Sequence, residues 1–251
     1  MPESVRVERR GRVLVLTIDR EHKRNAIDGV TTRGIDGALN LLEDDDDLWV
    51  GVLTGAGGVF SAGTDLKDGS GGRTERGGEY GLVRRARRKP LIAAVEGLAY
   101  GGGFEIVLAC DLVVASRTAR FALPEARRGV VASSGALFRA MRALPVHIAK
   151  ELLITGTALD AERGYAFGLV NRVSEPGGAL AAALELADDV CESSPVSVRA
   201  TLETLAAQFS DADAEGWRLS AEAVERVVAS DDMREGVDAF FQRRAPRWSG
   251  R

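Results

Sequence analysis

The sequence predicts an α/β fold with a largely parallel sheet. Three observations carry that prediction. Short apolar runs alternate with helical stretches as far as residue 124, and glycine-rich turns follow several of those runs. The run VLVLTI at 13–18 is apolar on both of its faces, as a strand covered on both sides must be. A chain of 251 residues is long enough to bury a sizeable core.

Val5 and Val7 begin a short alternating strand, and Arg10, Gly11 and Arg12 turn it into VLVLTI. A helix follows from about Asp28 to Leu42, with Val30, Ile35, Ala38, Leu39 and Leu42 as its apolar stripe. Gly34 and Gly37 each weaken it by roughly 1 kcal/mol relative to alanine. The acidic run EDDDD at 43–47 sits badly with a helix C-terminus, so it marks a solvated exit into the next strand, WVGVLTG. Residues 66–81 are dense in glycine, poor in apolar side chains and without periodicity, which predicts a surface loop. LVRRARRKP reads as a short basic helix over 82–88, stopped by Pro90.

LIAAVEG returns as a buried strand, followed by a glycine run and the helical stretch FEIVLACD. DLVVAS and ARFAL are two further strands. Beyond Ser133 the chain turns mostly helical. HIAKELLITG, 178–192, 195–209, 213–229 and 231–243 all show helical spacing, Pro195 suits a helix start, and LVNRV is a short strand. The expected division is an α/β core at 1–190 and a helical region at 191–251, packed on the core or on a neighbouring subunit.

Composition narrows the function classes. The chain is 45% hydrophobic and 28% charged, with 33 basic and 37 acidic residues and a net charge of -4. That balance argues against nucleic acid as a partner. No stretch approaches a membrane span, and MPESVRVERRGRVLVLTID lacks the basic head and apolar run of a secretory leader, so a cytoplasmic address is expected. Cys110 and Cys191 have apolar neighbours and read as reduced structural thiols. Together with His22 and His147 they offer no metal-ligand spacing.

Two glycine-rich turns stand out, GAGGVFSAGTDL at 55–66 and EGLAYGGGFEIVLACD at 96–111. Neither has the spacing of a dinucleotide fingerprint or the Lys-Ser/Thr pair of a P-loop. The second opens a helix, whose first turn has free N–H groups and a dipole that favours negative charge. Glycines there let a substrate carbonyl approach the backbone, or simply let helix and strand pack tightly. Glu105 follows one turn into an apolar segment, where a carboxylate must be paired or have its pKa raised by desolvation. That makes it a general acid–base candidate. Glu125 follows Pro124, and an ion pair with Arg127 or Arg128 is its structural alternative. A serine triad is unsupported, with no G-x-S-x-G elbow and no histidine in a constellation.

At these residues the sequence resembles the crotonase superfamily, the enoyl-CoA hydratase/isomerase family. The resemblance runs from VLVLTIDREHKRNAID through FSAGTDL, KPLIAAVEGLAYGGGFEIVLACDLVVAS, FALPEARRG and LLITGTALDAERGYAFGLVNRV to EGVDAFFQRR. It implies a crotonase-like spiral of repeated β-β-α units with a C-terminal helical trimerisation region, and a homotrimer or a dimer of trimers. It also implies an acyl-CoA substrate with no cofactor beyond the coenzyme A that the substrate carries. The backbone N–H groups of Thr64 and Gly102 would form an oxyanion hole, and Ala62, with Ser61 and Leu66 beside it, would face the adenine. Lys23, Arg24 and Lys67 would approach the phosphates and pantetheine. The family's C-terminal lysine is replaced near Ser249, with Arg247 and Arg251 close by.

Hydratases in the family carry two glutamates, here Glu105 and Glu125, one activating water and one delivering a proton to C2. Enoyl-CoA isomerisation, another acyl-CoA chemistry and silent CoA-ester binding are the alternatives. One stretch departs from the hydratase pattern. The water-seating Pro-Gly-Ala-Gly turn is replaced by GVVASSGAL, where Ser133 takes over the backbone role and Arg127 and Arg128 stand ready to lower the pKa of Glu125. Tyr80, Leu82 and Val83 are candidates for the acyl pocket. Phe240, Phe241 and Trp248 suit CoA contact, a subunit interface or the core equally.

Overall fold

A computed structural model describes residues 4–67 and 71–251 of the chain. Residues 68–70 of the loop read at 66–81, and the first three residues of the N-terminal stretch, lie outside the described residues.

β1 (Val5–Arg10) pairs antiparallel with β2 (Val13–Ile18) across the Gly11 turn, where a φ of 58° suits glycine. α1 (Gly29–Asp44) begins at Asp28, whose side chain accepts from the Thr31 N–H at 2.8 Å. Its buried face differs from the predicted stripe at one position. Val30 is exposed, and Thr31 and Thr32 are buried instead.

The acidic run is only partly solvated. Glu43 is 4% exposed and accepts from the backbone N–H groups of Arg88 and Lys89. The buried Lys89 ammonium caps the end of α1, donating to the carbonyls of Leu42 and Asp45 at 2.8 and 2.7 Å. A cation at that end complements the helix dipole that the run itself opposes.

β3 (Val50–Gly55) leads to the glycine-rich loop. Within it β4 (Arg73–Thr74) and β5 (Gly78–Glu79) form a small antiparallel ribbon. The helix read at 82–88 is absent, and turns replace it. Its arginines reach in different directions, Arg84 to Glu79, Arg85 to Asp36, Arg87 to Asp111 and Arg88 to Glu43. One helical face does not serve all four.

β6 (Leu91–Val95), β7 (Leu98–Tyr100) and α2 (Gly102–Ala109) form one β-β-α unit. β8 (Leu112–Ser116), β9 (Arg120–Ala122), a 3-10 turn at Pro124–Arg128 and α3 (Ala136–Ala143) form the next. α4 (Val146–Thr155), β10 (Ala158–Asp160), α5 (Ala161–Ala166), β11 (Arg172–Ser174) and α6 (Ala179–Cys191) complete the core. The first strand of each unit joins a six-stranded sheet of order β1-β2-β3-β6-β8-β11, parallel except for β1. The second joins a three-stranded sheet of order β10-β9-β7. Chain progress therefore alternates between two sheets, which is the spiral.

The large sheet is covered on both faces. Leu14, Leu16 and Ile18 of β2 enter the main core with α1 and α2, while Val13 and Val15 enter a second core against Ala183 and Ala187 of α6. This arrangement accounts for the unbroken apolar run of β2.

The helical pairs read at 195–209 and 213–229 are one helix, α7 (Pro195–Val228), 34 residues long. Ser210, Asp211 and Ala212 interrupt the apolar pattern but include no glycine or proline, so the backbone continues. α8 (Asp231–Gln242) folds back onto the 3-10 turn, with Gly236 against the Arg128 carbonyl. No described helix is long and apolar enough to cross a membrane.

Candidate active site

The segment 61–65 is held at its edges and leaves one donor over. Ser61 N–H donates to Leu98 O at 3.0 Å, and Tyr100 N–H donates back to Ser61 O at 3.0 Å. On the other side Ile27 N–H donates to Gly63 O at 2.8 Å, and Asp65 N–H donates to Ile27 O at 2.9 Å. That parallel bridge uses the groups of residues 63 and 65 and skips Thr64. Gly63 has a φ of 90°, and a Cβ there would stand 2.7 Å from Tyr100 O and 3.0 Å from Gly102 N. The segment thus lies directly on the turn that opens α2. Gly102 is the first residue of that helix, where no intrahelical acceptor exists for its N–H. Among the described residues, neither the Thr64 nor the Gly102 N–H has a backbone acceptor.

Two carboxylates border the same space. Glu105 stands on the first turn of α2, is 2% exposed, and accepts from Ala136 N–H at 3.3 Å. Burial raises its pKa and the charge of Glu125 adds to the rise, bringing it to about 8 against the donors of Ala136 and Ser134. Glu125 sits in the 3-10 turn with Oε1 against Gly101, where a Cβ would stand 2.9 Å away. Its Oε2 is buried and has no hydrogen-bond partner among the described residues. Burial lifts its pKa to about 7, opposed by its own backbone N–H and by Arg128. The expected depression by the two arginines is outweighed. Arg127 turns away to the Thr155 carbonyl, and Arg128 stacks on the Phe240 ring at 5.0 Å.

A cavity of about 290 Å³ joins these groups. Thr64, Gly102, Glu105 and Glu125 border it, Ala62 and Leu66 flank the donor side, and Ser133 lines the opposite turn. Lys23, Arg24 and Lys67 are not on its wall but gather around the 61–65 segment. Lys23 Nζ is 3.9 Å from Asp65 Oδ2, Arg24 O accepts from Ala62 N–H at 3.0 Å, and Lys67 N–H donates to Asp65 Oδ1 at 3.2 Å. Ser61 is fully buried, its hydroxyl donating to Asn25 O at 2.8 Å.

Of the three acyl-pocket candidates, Tyr80 lines the cavity. Leu82 and Val83 are each 1% exposed and pack in the main core, away from the cavity wall. Phe240 and Phe241 line the cavity from α8, while Trp248 stands apart and exposed. Sequence reasoning singled out Ser133 on this turn and missed its neighbour Ser134, which faces both Glu105 and Tyr80. It also missed the Tyr80 hydroxyl, 2.8 Å from Thr64 Oγ1. The one available signal was a lone aromatic in an otherwise polar glycine loop.

A two-sheet β-β-α spiral with a helical C-terminal region defines a crotonase-type enzyme. The profile described as enoyl-CoA hydratase/isomerase matches residues 8–251, and the chain belongs to that family. It is 38% identical to a carnitinyl-CoA dehydratase of Proteus mirabilis (strain HI4320), with all of both chains covered. Among solved structures, carnitinyl-CoA hydratase from Mycobacterium avium is 37% identical with a TM-score of 0.94, covering 100% of both chains. Enoyl-CoA hydratase from Mycobacterium tuberculosis H37Rv is 42% identical with a TM-score of 0.80, covering 99% of this chain and 100% of that one. The relatives are lyase-type enzymes by name, and this chain is an enzyme of that type.

Proposed function

We propose that the chain adds water across the double bond of a trans-2-enoyl-CoA, and catalyses the reverse dehydration. The observation that carries this reading is the pair of buried carboxyls, Glu105 and Glu125, on one cavity with both pKa values raised toward neutrality. The N–H groups of Thr64 and Gly102 hold the thioester oxygen while negative charge develops on it, and losing such a donor costs about 3 kcal/mol of transition-state stabilisation. Glu105 removes a proton from the water that attacks C3, and Glu125 delivers one to C2. Glu125 Oε2, buried without a donor among the described residues, is suited to carry that proton.

Burial raises both carboxyls toward neutrality, so near neutral pH the pair can hold one shared proton, and hydration as written starts with it on Glu125. The two carboxyls are therefore one proton-sharing unit rather than two fixed roles. Ser133, on the altered turn, supports the seating of water through its backbone.

Ala62 and Leu66 flank the CoA end in this reading, and Lys23, Arg24 and Lys67 supply cationic charge for its phosphates. The relatives' names point to hydration–dehydration chemistry, and the carnitinyl group is theirs. No group beyond the substrate's own CoA enters the reaction. The proposed assembly is a homotrimer or a dimer of trimers, with residues 191–251 packing between subunits, and the proposed address is cytoplasmic. Supporting the assembly, α7 buries only Gly216 and Ser220 and leaves Val196, Leu205, Leu219 and Val228 exposed.

Turnover decides the reaction. Purified protein given crotonyl-CoA or a longer trans-2-enoyl-CoA should bleach the absorbance of the conjugated thioester. Binding of CoA esters without any bleaching would sink the hydratase reading.

A further inference from the structure

Tyr80 lies at the junction of the two halves of the site. It is 6% exposed and adopts a φ of 57°, a left-handed conformation that aromatic residues rarely take. Such a conformation persists only where its surroundings over-determine it. Here they do. A Cβ on Gly71 would stand 2.7 Å from the Tyr80 ring, and a Cβ on Gly102 would stand 2.4 Å from its hydroxyl oxygen and 2.5 Å from Cζ. The ring therefore passes between two glycine backbones and ends on the α carbon of Gly102.

At that point the hydroxyl meets both sides of the cavity. Its oxygen is 2.8 Å from Thr64 Oγ1, on the residue whose N–H lacks a backbone acceptor. It also interacts with Ser134, which in turn faces the Glu105 carboxylate. Burial and the charges of Glu105 and Glu125 push the phenol above its ordinary pKa, so it stays a neutral hydroxyl.

We infer that Tyr80 is a positioning residue whose hydroxyl, bonded to the Thr64 side chain and braced against Gly102, sets the spacing of the two backbone donors relative to Glu105. The inference rests on the assignment of Thr64 and Gly102 as carbonyl donors and extends it. Two peptide N–H groups on separate segments polarise one oxygen only while their separation is fixed. Backbone bonds of Ser61 to Leu98 and Tyr100 tie the segment to β7 three residues before Thr64, and the Tyr80–Thr64 bond adds a cross-link at the donor residue itself. The bond is between side chains, so its removal leaves the peptide donors themselves in place.

The test reads carbonyl polarisation rather than turnover. A push–pull aminocinnamoyl thioester of CoA absorbs further to the red when its carbonyl is polarised, and it reports binding at the same time. Tyr80→Phe, Thr64→Val and the double variant are compared with wild type. Tyr80→Phe keeps the ring and its packing, and Thr64→Val removes the same bond from the other side.

Wild type should bind the probe with a red shift. Each single variant should bind it within about threefold of wild type yet lose most of the shift, and the double variant should lose no more than either single, because one bond is shared. With enoyl-CoA substrate, Tyr80→Phe should lower kcat about tenfold while KM changes little. A full red shift in Tyr80→Phe overturns the inference alone, as do strictly additive losses in the double variant. Absence of any shift in wild type overturns the donor assignment and the inference together. A normal shift without hydration by wild type refutes the hydratase reading and leaves this comparison decisive.

Discussion

Gly102 and Tyr80 exclude each other's enlargement, since a Cβ at Gly102 would stand 2.4 Å from the Tyr80 hydroxyl oxygen. The third residue of the GGG run serves a different contact, because a Cβ at Gly103 would meet the Ser61 carbonyl at 2.5 Å. Gly101 faces Glu125 and has a φ of 54°. Three adjacent glycines thus make room for three separate neighbours, two of which, Tyr80 and Glu125, line the cavity.

Gly102→Ala should therefore damage catalysis more than folding. The added methyl displaces the Tyr80 tip or the helix start, and either shift moves a backbone donor. Overpacking of this kind costs about 1–3 kcal/mol of stability. The expected kinetic result is a fall in kcat of about 10- to 100-fold with a smaller change in KM. Thermal unfolding beside steady-state kinetics checks it, and an alanine variant with unchanged kcat would remove Gly102 from the oxyanion role.

Glu105→Gln and Glu125→Gln should each lower hydration by on the order of 10²- to 10⁴-fold. Both amides fit the space but neither transfers a proton. If only one substitution is severe, a single carboxyl shuttling a proton between carbons explains the site better, and double-bond migration becomes the activity to assay.

The pH dependence of rate follows from the same pair. Catalysis needs one carboxyl ionised and its partner protonated. With the pair at about 7 and about 8, low pH removes the base and high pH removes the acid. The kcat/KM profile should be a bell with its maximum near neutrality or slightly above, its limbs belonging to the pair. A profile flat down to about pH 5 would mean that the carboxyls ionise as ordinary surface groups do.

Stability should respond to pH in a definite direction. Glu105 has a folded pKa of about 8 against an ordinary 4.5. Between those values the folded chain holds a proton that the unfolded chain has lost, so unfolding releases one and stability falls as pH rises. This contribution is fully present below about 4.5 and gone above about 8. Glutamine has no proton to lose. The melting temperature of Glu105→Gln should accordingly gain on wild type progressively from about pH 5 to 8, and a constant difference across that window would contradict the buried, raised pKa.

Much of this was legible in the sequence because it rests on local pattern. The two-faced strand at 13–18, the glycines before α2 and the carboxylate among Phe104 and Ile106 declare themselves within a few residues. What was not legible depends on distant partners. The arginines at 84–88 look like a helix face until their acids, Glu79, Asp36, Asp111 and Glu43, are placed around them. Arg128 does lower the Glu125 pKa, but burial by distant segments outweighs it, and its guanidinium lies over Phe240. Ser134 and the Tyr80 hydroxyl gain meaning only where three segments meet, and no periodicity encodes that meeting.

The assembly offers the last prediction. α7 runs for 34 residues with two of them buried, and an amphipathic helix of that length gains little by standing in water. Leu205 is 48% exposed and Val228 is 54% exposed on the isolated chain, in the region proposed for subunit contact. Burying a leucine is worth roughly 1.5–3 kcal/mol, and a trimer would repeat each such contact in every subunit. A glutamate at position 205 would have to be buried unpaired in the same contact, which is costly. Light scattering should therefore find wild type as a trimer or hexamer and Leu205→Glu shifted toward monomer, with the subunit's own core strands intact by circular dichroism. A wild type that scatters as a monomer at micromolar concentration would show that α7 is covered by something other than its own copies.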